Sequence, residues 1–217
     1  MRYLAIVAML GCMTMLSAGQ TKKRADVRPA CRMTADQLPD IRGLLLGMSV
    51  SELLSAFPEE SSKSTIQKAV SDAKKSDTYG FGRATLFPSI PVNPNFSGVE
   101  AISVELVDDR VSSFRLEYAR GIPWKSADQF VSKISDAFHL PTHDRWSSPD
   151  VAHSAHTKGG AVDYGNRVLT CNGFTVLATI NNGNGGSAII VKNPRAEQLV
   201  NDRGEAAKER VRQAFKP

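Results

Sequence analysis

All four histidines of this chain, His139, His143, His153 and His156, fall within the stretch HLPTHDRWSSPDVAHSAH, together with Asp144 and Asp150. Imidazoles and carboxylates at that density are the raw material of a metal site, which needs converging rings, a completing carboxylate and acceptors that fix each tautomer. His153 and His156 are three apart and share a face if the stretch makes one helical turn. His143 and Asp150, with Asp144 or Asp163, are the candidates to complete a zinc or copper site. His139 and His143 are four apart, but Pro141 lies between them and breaks the helix that would align them, so His139 belongs to a helix end. The segment has no HExxH or cysteine-rich spacing, and a polar loop rich in serine and threonine accounts for the same residues with no ligand. Both readings stay open, with no cofactor as the plainer one. Trp146 and Arg145, inside this stretch, are of the types favoured at recognition hot spots and are the binding candidates; the alternative for Trp146, as for Trp124, is a core or cover role.

Other chemistry finds little footing. There is no G-x-S-x-G elbow, and GFGRAT and GNGGSA lack the spacing of a dinucleotide or phosphate loop and read as turns beside strands. The carboxylate pairs Glu59-Glu60 and Asp108-Asp109 fall in turns. The reading is therefore non-enzymatic, with a metal-binding protein or metal-dependent enzyme built on residues 139–163 as its rival.

The ends of the chain bear on its destination. MRYLAIVAMLGCMTMLSAGQ has one basic residue, an apolar run and then small residues, the layout of a secretory signal peptide over residues 1–19. A membrane anchor needs about 20 apolar residues, and this run is shorter and interrupted by Gly11, Cys12 and Thr14. Gly11-Cys12 offers a second route, lipid anchoring through Cys12, although Leu10 sits one place too close. Lys22, Lys23 and Arg24 count against export, because positive charge after the apolar run hinders it. With the leader gone, the expected location is the periplasm or outside the cell, with no stable membrane span. Cys31 and Cys171 are the cysteines that remain, and an oxidising compartment pairs them unless both are buried thiols. The 217 residues carry 27 basic and 22 acidic side chains, net +5, without a basic patch interleaved with aromatics, so nucleic acid is not an expected partner.

These residues must be positioned by regular elements. Residues 20–38 read as a polar lead-in. Ser49 followed by Glu52 is a capping box, Val50, Leu53, Leu54 and Phe57 continue it at helical spacing, and Pro58 stops the helix. Residues 59–75 are polar and lysine-rich and are expected to form a loop with a short helical stretch around 65–72. After a strand in YGFGRATLFP, the alternation of Ile102, Val104 and Leu106, then of Phe114, Leu116 and Tyr118, across Asp108, Asp109 and Arg110 is a hairpin signal. The plan then repeats. Ser126 and Gln129 restate the cap 77 positions later, Phe130, Val131, Ile134 and Phe138 make the helical face, and RVLTCNG, FTVLATI and SAIIVKN read as strands. The fold class is therefore α+β: two tandem helix-plus-antiparallel-sheet units over residues 39–119 and 120–193, and a C-terminal helix over 194–217. That helix places Val200, Ala207, Val211 and Phe215 on one face, to dock on the rest, the alternative being a partner-binding helix.

GLLLGMSVSELLSAFP, residues 43–58, resembles the helix-opening motif of small bacterial outer-membrane-assembly lipoproteins and of the beta-lactamase-inhibitor-protein-like fold. Gly43, Gly47, Ser49, Glu52 and Leu53 carry the match, and the tandem plan extends it loosely over residues 41–193. The resemblance implies an exported binding or assembly module with an open sheet face, whose partner is a protein or an envelope component.

Overall fold

The computed structural model describes residues 31–75, 77–89, 93–120, 124, 126–148, 164–181 and 186–215. Two helices, α1 (Val50–Ala56) and α2 (Glu60–Ala73), precede strands β1 (Phe81–Leu86), β2 (Val99–Val107) and β3 (Arg110–Tyr118). One helix, α3 (Ala127–Ala137), precedes β4 (Tyr164–Thr170), β5 (Thr175–Asn181) and β6 (Gly186–Lys192), and α4 (Pro194–Ala214) ends the described chain. The fold is α+β, as expected.

Both capped helices start where the sequence places them. Glu52 N donates to Ser49 Oγ at 3.3 Å and Ser49 N to Glu52 Oε2 at 2.7 Å; in the second half Gln129 N donates to Ser126 Oγ at 3.1 Å. These bonds satisfy amides that a helix start otherwise leaves free. The Ser49 hydroxyl and amide also hold the exposed Glu52 carboxyl below its ordinary pKa.

The two strand triplets are not two sheets. Every neighbouring pair is antiparallel, and the order β1-β2-β3-β6-β5-β4 joins the triplets edge to edge, with Phe114 opposite Val191 and Leu116 opposite Ile189. One core runs beneath the whole sheet, drawing Leu53 and Phe57 from α1, Ile66 from α2, Val104 and Phe114 from the first triplet, Phe130 and Ile134 from α3, and Ile189 and Val191 from β6. Each half thus lends an exposed strand edge to the other, which removes two of four edges from solvent.

The polar segment after Pro58 is a helix from Glu60 to Ala73, not a loop with one short helical stretch. Its inner face is Ser62, Ile66, Ala69 and Ala73, a stripe at helical spacing that contains one large apolar side chain and so leaves a weak hydrophobic signal. What makes it pack is close approach: a Cβ placed on Gly82 of β1 would lie 2.3 Å from the Ala69 carbonyl oxygen. The second half repeats the device at the opposite edge, where a Cβ on Gly165 of β4 would lie 2.7 Å from Ala127 Cβ of α3.

The β2–β3 hairpin turns on Asp108 and Asp109 with φ of 51° and 60°, the left-handed pair that a tight hairpin uses, and a register shift follows Glu105. A disulfide joins Cys31 to Cys171 with the Cα atoms 4.7 Å apart. It fastens the segment before α1 to the β4–β5 connection, where Asn172 N also donates to Met33 O at 3.0 Å.

Candidate interaction face

Alternation along a strand divides its side chains between two faces. One face of this sheet lies on the core. The other carries Arg83 and Thr85 of β1, Ser103 and Glu105 of β2, Arg115 and Glu117 of β3, Ile190 and Lys192 of β6, Leu177 of β5 and Val168 of β4, all exposed or half-buried. Pairing registers set one row across six strands: Thr85, Ser103, Arg115, Ile190, Leu177, Val168. The row is polar in the first triplet and aliphatic in the second.

The charges on this face are matched. Arg83 Nη2 meets Glu105 Oε1 across β1 and β2, Arg115 Nε lies 2.7 Å from Glu117 Oε1, and Lys192 Nζ lies 3.3 Å from Glu197 Oε2 of α4. Exposed pairs of this kind add about 0–1 kcal/mol each to stability. Their chemical value is in recognition, since interleaved signs select a partner of complementary pattern and disfavour a uniformly charged one.

α4 forms one wall. Asn193 N donates to Ser112 O at 2.8 Å, Val200 and Asn201 border the face, and Arg203 clasps Asp108 through two bonds of 2.8 Å while Nη1 also reaches Tyr79 O at 3.0 Å. Gly204 is buried against the Tyr79 ring. The guanidinium of Arg203 holds the Asp108 carboxyl below its ordinary pKa, and the carboxylate raises that of Arg203 in return. Together α4 and the sheet enclose a cleft of about 820 Å³. The expected apolar face of α4 docks only in its first half: Val200 and Ala207 are half-buried, whereas Val211 is 71% exposed and Phe215 76%.

The described residues among those singled out for their chemistry lie elsewhere. Trp146 is 1% exposed, and its Nε1 donates to the Pro141 carbonyl at 3.0 Å. It is a core residue and not an exposed recognition platform, because the short helix His143–Arg145 turns the chain inward and a bridge from Ser147 to Val168 of β4 fastens it there. Arg145 lies on that turn, with Nε 3.7 Å from Asp144 Oδ2. The hydroxyl of Thr142 holds the exposed Asp144 carboxyl below its usual range. His143 is exposed on the same turn, and His139 ends α3 with φ of 52°, as its place before Pro141 implies. Asp150, His153, His156 and Asp163 lie outside the described residues. Among the described residues no three His, Cys, Asp or Glu side chains are grouped to hold a metal ion. Trp124 is half-buried, tilted against Phe130 with its Nε1 donating to Ser187 Oγ at 3.1 Å.

The open face was written in the polar positions of the hairpin, Ser103, Glu105, Arg115 and Glu117. Alternation shows that these share a side; it does not show that no helix packs there.

Comparison with protein-family models, curated proteins and solved structures finds no match to this chain.

Proposed function

We propose that the chain is an exported, non-enzymatic binding module of the bacterial envelope that presents the open face of its sheet to a protein or another envelope component. The observation that carries this reading is the face that the described helices leave open: matched ion pairs on one triplet, Ile190, Leu177 and Val168 on the other, and α4 raised as a wall beside a cleft of about 820 Å³. A surface that joins an aliphatic patch to a rim of polar and charged groups has the make-up of a protein-binding site. The leader-like N-terminus and the Cys31–Cys171 disulfide support an extracytoplasmic location, and no helix among the described residues is long and apolar enough to cross a membrane. The resemblance of residues 43–58 to the outer-membrane-assembly lipoproteins supports the same setting.

The test is photocrosslinking in cells from a probe at Ile190, with a second probe at the exposed Ser132 of α3 as control. A discrete adduct from Ile190 that Arg115→Glu abolishes is the expected result. Equal labelling from both positions, or none from Ile190, refutes the binding face; retention of the chain in the cytoplasm with its leader attached refutes export.

A further inference from the structure

α4 is longer than the sheet it crosses. From Asn193 at the end of β6 to Gly204 on Tyr79, just before β1, the helix passes β3 and β2. That stretch rises about 16 Å, close to the roughly 14 Å of three inter-strand steps. The apolar stripe does not stop there. Val211, Ala214 and Phe215 continue the line of Val200, Gly204 and Ala207 at helical spacing, and the remaining turns rise about 15 Å further, room for about three more strands.

β1 is the outermost strand on that side. Gly80 O accepts from Asp108 N at 3.2 Å and Phe81 N donates to Thr78 O at 2.9 Å. Hydrogen bonding along the strand alternates, so Gly82, Ala84 and Leu86 face β2, while the N–H and C=O of Arg83 and Thr85 point off the edge. The other edge is treated differently: Ser147 exchanges two bonds of 2.8 Å with Val168 and covers β4 there.

We infer that the chain pairs with a second copy of itself through the outer edge of β1, each α4 lying over the open face of the other copy's sheet. The inference goes beyond the binding role above and stands whether or not that role holds. An antiparallel pairing of β1 with its own copy, about a two-fold axis normal to the sheet, keeps the open faces on one side. It also brings the Leu86 end of one β1 beside the Phe81 end of the other. Phe87, 72% exposed, follows Leu86 on the open-face side of the alternation and borders a hollow with Glu100. One symmetric contact thus brings Val211 and Phe215 of each copy to Phe87 of the other. These are the three most exposed of the five exposed large apolar side chains among the described residues. Arg210, flanking the stripe, meets Glu100, flanking Phe87, so charge is complementary as well.

Sedimentation equilibrium of the purified chain tests this. The native chain is expected to be a dimer, and Val211→Glu with Phe215→Glu, at exposed positions the fold does not use, is expected to weaken the dimer by about tenfold or more. Phe87→Glu acts alike, Arg210→Glu weakens association, and Glu100→Arg added to it restores binding. A Phe87→Cys, Val211→Cys chain is expected to oxidise to a disulfide-linked dimer. A native chain that stays monomeric at millimolar concentration overturns the inference, as does a dimer that all of these substitutions leave unchanged.

Discussion

Trp146 and Gly82 show how a single residue is assigned by its surroundings. Trp146 sits in a polar, histidine-rich stretch that leaves both a recognition and a core role open, and the structure decides for the core: its ring is buried and its indole N–H is spent on Pro141 O. Trp146→Ala is therefore expected to cost about 3–5 kcal/mol in urea unfolding, as truncation of a buried aromatic does. Trp146→Phe, which keeps most of the ring volume and loses the hydrogen bond, is expected to cost about 1–2 kcal/mol. An alanine variant as stable as the native chain would contradict the core assignment. Gly82 has the opposite character, since its importance lies in having no side chain. Gly82→Ala forces α2 away from β1 and is expected to destabilise by about 1–3 kcal/mol, the range for overpacking. Equilibrium unfolding of that variant beside Gly98→Ala, whose added Cβ meets nothing within 4 Å, separates crowding from the backbone strain of a positive φ.

Among the elements, α4 depends on few attachments. Its docked half rests on Gly204, the Arg203–Asp108 clasp and the Lys192–Glu197 pair. Because Arg203 depresses the Asp108 pKa in the folded state, the clasp is fully formed above the ordinary carboxylate value of 3.8 and is lost as pH falls through the lower, folded value. The direction is thus acid loosening of α4. Both side chains are partly exposed, at 37% and 53%, so salt screens the effect. Amide exchange across residues 200–207, corrected for its intrinsic pH dependence, should rise in acid and in Asp108→Asn at neutral pH. Protection that is unchanged in both would assign the docking to Val200, Gly204 and Ala207 alone. α2 and α4 also mark how legible the elements were. Helix starts were plain wherever Ser49-Glu52 and Ser126-Gln129 wrote a cap. α2 is obscure in the sequence because small residues pack it, and the free half of α4 is indistinguishable there from a docked one because periodicity records an apolar face but not what meets it.

At the scale of the whole molecule, the disulfide and the joined sheet hold the ends together. Cys31 and Cys171 are 140 positions apart. Closing so long a loop contributes about 4–5 kcal/mol in the chain-entropy description. Cys31→Ser, Cys171→Ser or chemical reduction is accordingly expected to lower unfolding stability by up to that amount without changing the far-ultraviolet circular dichroism at low temperature. Equal stability of the oxidised and reduced chains would mean that the bond from Asn172 N to Met33 O and the bridge between Thr34 and Asn172 suffice to hold the N-terminal segment.

By itself the sequence determined the α+β class, the order of the elements in two runs apart from α2, the capped helix starts, the hairpin near Asp108 and the two inner faces of that hairpin. All of these follow from neighbours a few residues apart, through capping geometry and side-chain period. Only the tertiary structure decided that the two runs share one sheet and one core, that Trp146 points inward, that α2 is helical to its end, and which face stays open. Each of those depends on groups far apart in the chain: β3 meeting β6, Ala69 seated over Gly82, Arg203 reaching Asp108. The open sheet face could not be read from residue types for the same reason. Residue type marks where reactive groups are dense, whereas an interaction face arises from what the helices leave uncovered.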